Sequence, residues 1–123
     1  MEEVENFRKL KVWEKSHLLT LDVYKITEEF PKNEMYGLVS QLRRAAVSVV
    51  ANIVEGSKRK TKKDQKHFFV MSDTSLEEVK YYFILGFHLN YIGGEKAKKL
   101  TEQAREVGKM LNGLINSLKT YDL

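Results

Sequence analysis

Apolar residues along this chain recur three and four apart, the period of a helix with one covered face. The cleanest run is Ala97, Leu100, Ala104, Val107, Leu111, Leu114 and Leu118. That heptad seam suits a helix in an antiparallel bundle and predicts one over 95–119. Leu10, Trp13, His17, Leu18, Leu21 and Tyr24 predict a first helix over 10–29, with these residues on its inner face. A second helix over 34–55 carries a stripe of Leu38, Leu42, Ala45, Val49 and Ile53 beside another of Val39, Ala46 and Val50. A third, over 62–90, has Phe69, Leu76, Val79, Phe83 and Phe87 on its main buried face, widened by Phe68, Ile84 and Leu89.

The links between these runs carry their own signals. Phe30-Pro31 ends the first helix, because proline biases the residue before it away from helical angles. Gly56 is expected to stop the second, since glycine takes left-handed angles without a Cβ penalty. Thr61 with Asp64 three residues on resembles a capping box for the third, and Gly93-Gly94 is a turn signal. Four long helices with short links predict an all-α fold, an antiparallel up-down-up-down four-helix bundle forming one domain over 1–123. The second helix is apolar around most of its circumference, so its outer side is expected to meet another chain.

Composition narrows the classes. The chain holds no cysteine, which excludes disulfides, thiolate metal sites and a cysteine nucleophile. No apolar run approaches the roughly 20 residues of a membrane-spanning helix. The acidic opening MEEVENFRK is unlike a secretory signal, so a cytoplasmic location and no membrane partner are expected. The net charge is +4, yet residues 56–67 hold six basic groups against Asp64 alone. That segment carries +5 and leaves the remainder at −1. The basicity is local.

This basic link is the leading candidate site. Lys58, Arg59, Lys60, Lys62, Lys63 and Lys66, with Arg43 on the preceding helix, are the expected contacts to RNA or DNA phosphates. A solvated loop that only aids solubility is the plainer reading of such a run. Gln41, Arg44, Ser48, Asn52 and Glu55 form a second constellation, a polar stripe along one side of the second helix. Buried, it must find hydrogen-bond partners, since each unpaired group costs about 1–3 kcal/mol. Its expected role is to fix register at a subunit contact, and the plainer reading is an exposed polar edge.

Enzyme chemistry finds no foothold. Glu14-x-x-His17 and Asp64-x-x-His67 have di-iron spacing, but the second and fourth helices offer almost wholly apolar seams rather than bridging carboxylates. No triad and no phosphate-cradling glycine loop is present. The expectation is a protein with no catalytic residues, no metal and no cofactor. Tyr81, Tyr82, His88 and Tyr91 could stack on bases, though at helical spacing beside Phe83 and Phe87 they read better as packing residues.

A set of short motifs goes further: Phe7 with Leu10-Lys-Val-Trp13, Phe30-Pro31, Glu34-x-Tyr36-Gly37-Leu38, Gln41-Leu-Arg43-Arg44-Ala45-Ala46-x-Ser48, and Asn52-Ile53-x-Glu55-Gly56. With Ser75-Leu76-x-Glu78, these resemble the bacterial four-helix bundle proteins encoded in intervening sequences of 23S ribosomal RNA genes. That family is similar to the accessory proteins of diversity-generating retroelements, which are basic, pentameric and act with nucleic acid. The resemblance implies a homopentamer with a basic surface. It departs at Val50-Ala51, which can continue the second helix where the family often has proline, and at Asp73-Thr74 before Ser75-Leu76. The expected function is a non-enzymatic, oligomeric nucleic-acid-binding bundle. The competing reading is a scaffold whose basic charge meets an acidic protein partner.

Overall fold

The computed structural model describes residues 5–118, so any part of the expected fourth helix beyond residue 118 lies outside them. It has four helices: α1 (Lys11–Thr27), α2 (Leu38–Lys58), α3 (Lys62–His88) and α4 (Gly94–Ser117). Short 3-10 turns at Asn6–Lys9 and Lys32–Glu34 precede α1 and α2. Each helix packs on its neighbours in sequence, and α1 closes the ring against α4.

Side-chain pairs show that every contact is antiparallel. Thr20 reaches the Ala46 carbonyl while Thr27 meets Arg43. Ser48 meets Ser75 while Arg44 meets Glu78. Gly108 packs on Leu76, and Gly94 on Phe87. Lys15 faces Glu106, Asp22 faces Gln103 and Glu29 faces Lys96. In each case one number rises as the other falls.

The stripes of α2 and α4 bury as the pattern predicts, with Leu42, Ala45, Val49, Ile53, Ala104 and Leu111 fully covered. Val50-Ala51 continues α2 without a break. The inner face of α1 differs from expectation. Val12, Ser16, Leu19, Val23 and Ile26 point into the core, whereas Leu18, Leu21 and Tyr24 are 45%, 51% and 41% exposed. Ser16 hides this stripe from a reading by hydrophobicity. Its hydroxyl donates to the Trp13 carbonyl (3.0 Å), so the serine enters the core already satisfied. On α3, Phe69, Leu76, Val79 and Phe83 are core, but Phe87 is 44% exposed because Gly86 takes the inward position against Ile92. Ile84 and Leu89 are exposed with it.

Two of the links are tied by specific chemistry. α3 ends in a Schellman turn, with the Tyr91 amide donating to the Gly86 carbonyl (2.8 Å) and the Asn90 amide to Phe87 (3.0 Å). Asn90, rather than Gly93 or Gly94, takes the left-handed angle this needs (φ 64°). Tyr91 then packs on Phe30 and donates its hydroxyl to Glu34 (2.9 Å), which raises the phenol pKa. The other oxygen of Glu34 lies 3.4 Å from the Leu38 amide, and α2 starts four residues later than the pattern suggests because a 3-10 turn and the non-helical angles of Gly37 (φ −110°, ψ −110°) precede it.

Gly56 does not stop α2; it lies inside the helix and is buried. A Cβ there would stand 2.7 Å from Phe69 Cε1 and 2.9 Å from Cδ1. Its lack of a side chain lets α2 and α3 approach, and the helix runs on to Lys58. Helix propensity alone makes Gly56→Ala stabilising by up to about 1 kcal/mol. The close approach reverses that sign: urea denaturation should show Gly56→Ala destabilised by about 1–3 kcal/mol, the cost of overpacking.

Candidate nucleic-acid interface

The end of α2, a three-residue link and the start of α3 bring all six predicted link cations to one end of the bundle, five of them exposed. Thr61 caps α3, its hydroxyl accepting from the Asp64 amide (3.1 Å), and the Gln65 side chain donates to the Arg59 carbonyl (3.0 Å). The link is thus held from both sides. Arg59 is drawn onto the fold: it pairs with Glu55 (3.1 Å) and lies over the Phe68 ring at 4.5 Å. Among the described residues, Lys58, Lys60, Lys62, Lys63 and Lys66 have no carboxylate within ion-pair distance. All but Lys66 are exposed, and Lys66 is half-buried.

Lys62 and Lys63 stand in the first turn of α3, where the helix dipole is positive. Cations there cost about 0.3–1 kcal/mol each rather than stabilising the helix. Lys58, in the last turn of α2, has the favourable placement. The lysines and the amide end of α3 therefore add to one positive field, which Asp64 in the same first turn offsets only in part.

Arg43 does not join this cluster. It sits fifteen residues before Lys58 on α2, roughly 22 Å along the axis. Its Nε donates to Thr27 Oγ1 (2.8 Å), its Nη2 to the Tyr24 carbonyl (3.2 Å), and its guanidinium lies over the Tyr24 ring at 4.6 Å. An arginine so placed caps the carbonyl end of α1 and binds α1 to α2.

The polar stripe of α2 finds its partners within α2 itself, in the link and in α3 of the same chain. Arg44 takes the Gln41 side-chain oxygen (3.1 Å) and the Glu78 carboxylate (2.8 Å). The Ser48 and Ser75 hydroxyls meet at 2.9 Å, and Asn52 donates to Ser48 Oγ (3.1 Å) and to its carbonyl (2.9 Å). Glu55 turns to Arg59. Buried Ser72 adds a bond to the Val49 carbonyl at 2.6 Å. Glu78 entered the sequence reading only as part of the Ser75-Leu76-x-Glu78 motif and Ser72 not at all; the three-residue step from Ser75 to Glu78 faces the four-residue step from Ser48 back to Arg44 across the antiparallel contact. Of the histidines weighed for metal, His17 stacks flat on Trp13 (4.9 Å, 9°) and His67 packs edge-on against Phe68.

Among the described residues, the Asp73 carboxyl is perturbed. Partial burial, then the nearby Glu77, raises the Asp73 pKa, with Lys80 opposing. Asp73 lines none of the three principal cavities, so its shift reports electrostatic stress within the fold.

The fold and this end together define a class: a small antiparallel four-helix bundle with a lysine-rich cap on one end. Within that class the sequence is decisive. The model of the family described as 23S rRNA-intervening sequence protein matches residues 8–113, and the chain belongs to this family. No curated protein matches it. Among solved structures it is similar to a protein of unknown function from the S23 ribosomal protein family of Bacteroides thetaiotaomicron. The TM-score is 0.80 at 20% identity, over 85% of this chain and 95% of that one. At that identity the likeness speaks for the fold.

A group whose folded pKa is raised binds more protons folded than unfolded, so stability falls as pH rises through its titration range. Asp73→Asn should therefore raise the urea midpoint at pH 7, within about 0.5 kcal/mol. The gain should shrink as the pH falls below the carboxylate range. A gain that is constant with pH would place its cause elsewhere.

Proposed function

We propose that this protein is a non-enzymatic RNA-binding bundle that grips phosphates with its lysine end and assembles with copies of itself. The observation that carries the first part is the set of five lysines without carboxylate partners, two of them where the α3 dipole opposes them. Such an arrangement costs stability in the isolated chain, and an external polyanion relieves it. The family description names 23S rRNA, which makes structured RNA the first ligand to try.

Assembly is supported by exposed apolar side chains on two helices, α2, as the sequence suggests, and α1. α1 and α3 take up most of the apolar circumference of α2, but Val47 on its outer side is 44% exposed and Val54 is half-buried. Leu18, Leu21 and Tyr24 on α1 are left uncovered, and contiguous exposed apolar side chains mark contact surfaces. A homopentamer, the assembly that the family resemblance implies, repeats the lysine end five times and turns a weak contact into a multivalent one.

Neutralising five phosphates per subunit should give a log affinity that falls with log salt at a slope of about −4.5 on duplex. The variant Lys60→Gln, Lys62→Gln, Lys63→Gln, Lys66→Gln should flatten that slope to about −1, and circular dichroism should show its fold intact. No binding at low salt, or an unchanged slope in the variant, rejects the reading. For assembly, light scattering at micromolar concentration should show an oligomer that Leu18→Glu with Leu21→Glu reduces to monomer. A monomeric parent protein defeats that part.

A further inference from the structure

A groove of about 330 Å³ runs between α3 and α4 near the link that joins them. Phe83, Ile84, Phe87 and Ala97 form its floor, and Lys98 and Arg105 stand on its α4 side. From Gly94 to Arg105 it follows eleven residues of α4, roughly 16 Å or three helical turns. Ile84 is 51% exposed and Phe87 44%, and Tyr81 extends the stripe one turn back at 56%. No carboxylate lines the groove; its other polar side chains are His88 and Thr101. Among the described residues neither Lys98 nor Arg105 forms an ion pair, although Glu102 lies between them in sequence.

We propose that this groove docks an acidic amphipathic helix of a protein partner. The chemistry on each side is complementary. A helix laid in the groove would cover Ile84 and Phe87 with its apolar face, the usual mode of helix-in-groove recognition. Carboxylates along its edge would meet Lys98 and Arg105, which select the sign of the partner and speed its approach. A nucleobase fits less well. The Phe87 and His88 rings are tilted 47° with centroids 5.7 Å apart, so they present no flat platform for stacking. The groove is also remote from the lysine end, since Phe83 lies twenty-one residues along α3 from Lys62, roughly 31 Å. The proposal therefore stands apart from the RNA reading.

The probe is a synthetic helical peptide with leucines on one face and glutamates on the other, with a twin carrying lysine for glutamate. Fluorescence anisotropy with the full chain should show the acidic peptide binding about tenfold more tightly at low salt. Lys98→Glu with Arg105→Glu should abolish that preference without loss of helicity, because both side chains are exposed. Ile84→Ser should weaken both peptides. Hydrogen exchange should show the acidic peptide protecting 83–88 and 97–105. Equal affinity for the two peptides overturns the proposal, as does protection confined to 58–66. It is equally overturned if Ile84→Ser dissolves an oligomer, which would make the groove a contact between copies, or if single-stranded RNA protects the same segments.

Discussion

The contact between α2 and α3 fixes this molecule, and it does so by combining close approach with polar satisfaction. At one end Gly56 lets the Phe69 ring lie where a Cβ would collide. Further along, Ser72 bonds the Val49 carbonyl, Ser48 meets Ser75, and Arg44 reaches Glu78. Among the described residues no buried side-chain nitrogen or oxygen lacks a partner. Sliding α2 by a turn would bring a residue that carries a Cβ against the Phe69 ring in place of Gly56 and separate each polar pair at once. Packing of leucines and valines tolerates many registers, whereas this seam tolerates one.

That register decides what the ends of the bundle can do. With Gly56 held against Phe69, α2 continues to Lys58 and three residues suffice to begin α3. The lysines of both helices are thereby compressed onto one cap. The opposite end is closed differently, by Phe30, Tyr91, Ile92 and the Glu34 carboxylate that serves the start of α2. The first of these ends concentrates lysines without carboxylate partners among the described residues, whereas the second is tied by an aromatic contact and a shared carboxylate.

Adjacent arginines divide between two contacts. Arg43 closes the α1–α2 contact from the carbonyl end of α1, and Arg44 reaches across to α3. The Arg44–Glu78 pair is half exposed, so its worth is at most about 1 kcal/mol and its value lies in orientation. Neither adds to the lysine cap. The unpaired cations of the cap, among the described residues, are lysines, whose charges are mobile points without the fixed geometry of a guanidinium.

Sequence periodicity determined the four helices, the seams of α2 and α4, the Thr61 cap and the local excess of positive charge, because each depends on residues within a few turns of one another. The family motifs determined membership for the same reason. Tertiary structure decided which face of α1 is core, since Ser16 and Thr27 are polar by type but satisfied by carbonyls of their own helix. It decided that Gly56 is a point of contact and not a stop, which depends on where the Phe69 ring lies. It also decided which cations are free: Arg43 carries the same charge as the lysines, yet it is held by Thr27 and Tyr24 of α1, partners that spacing along one helix does not reveal. Periodicity reports what one helix can bury, and only the neighbouring helix settles what it does bury.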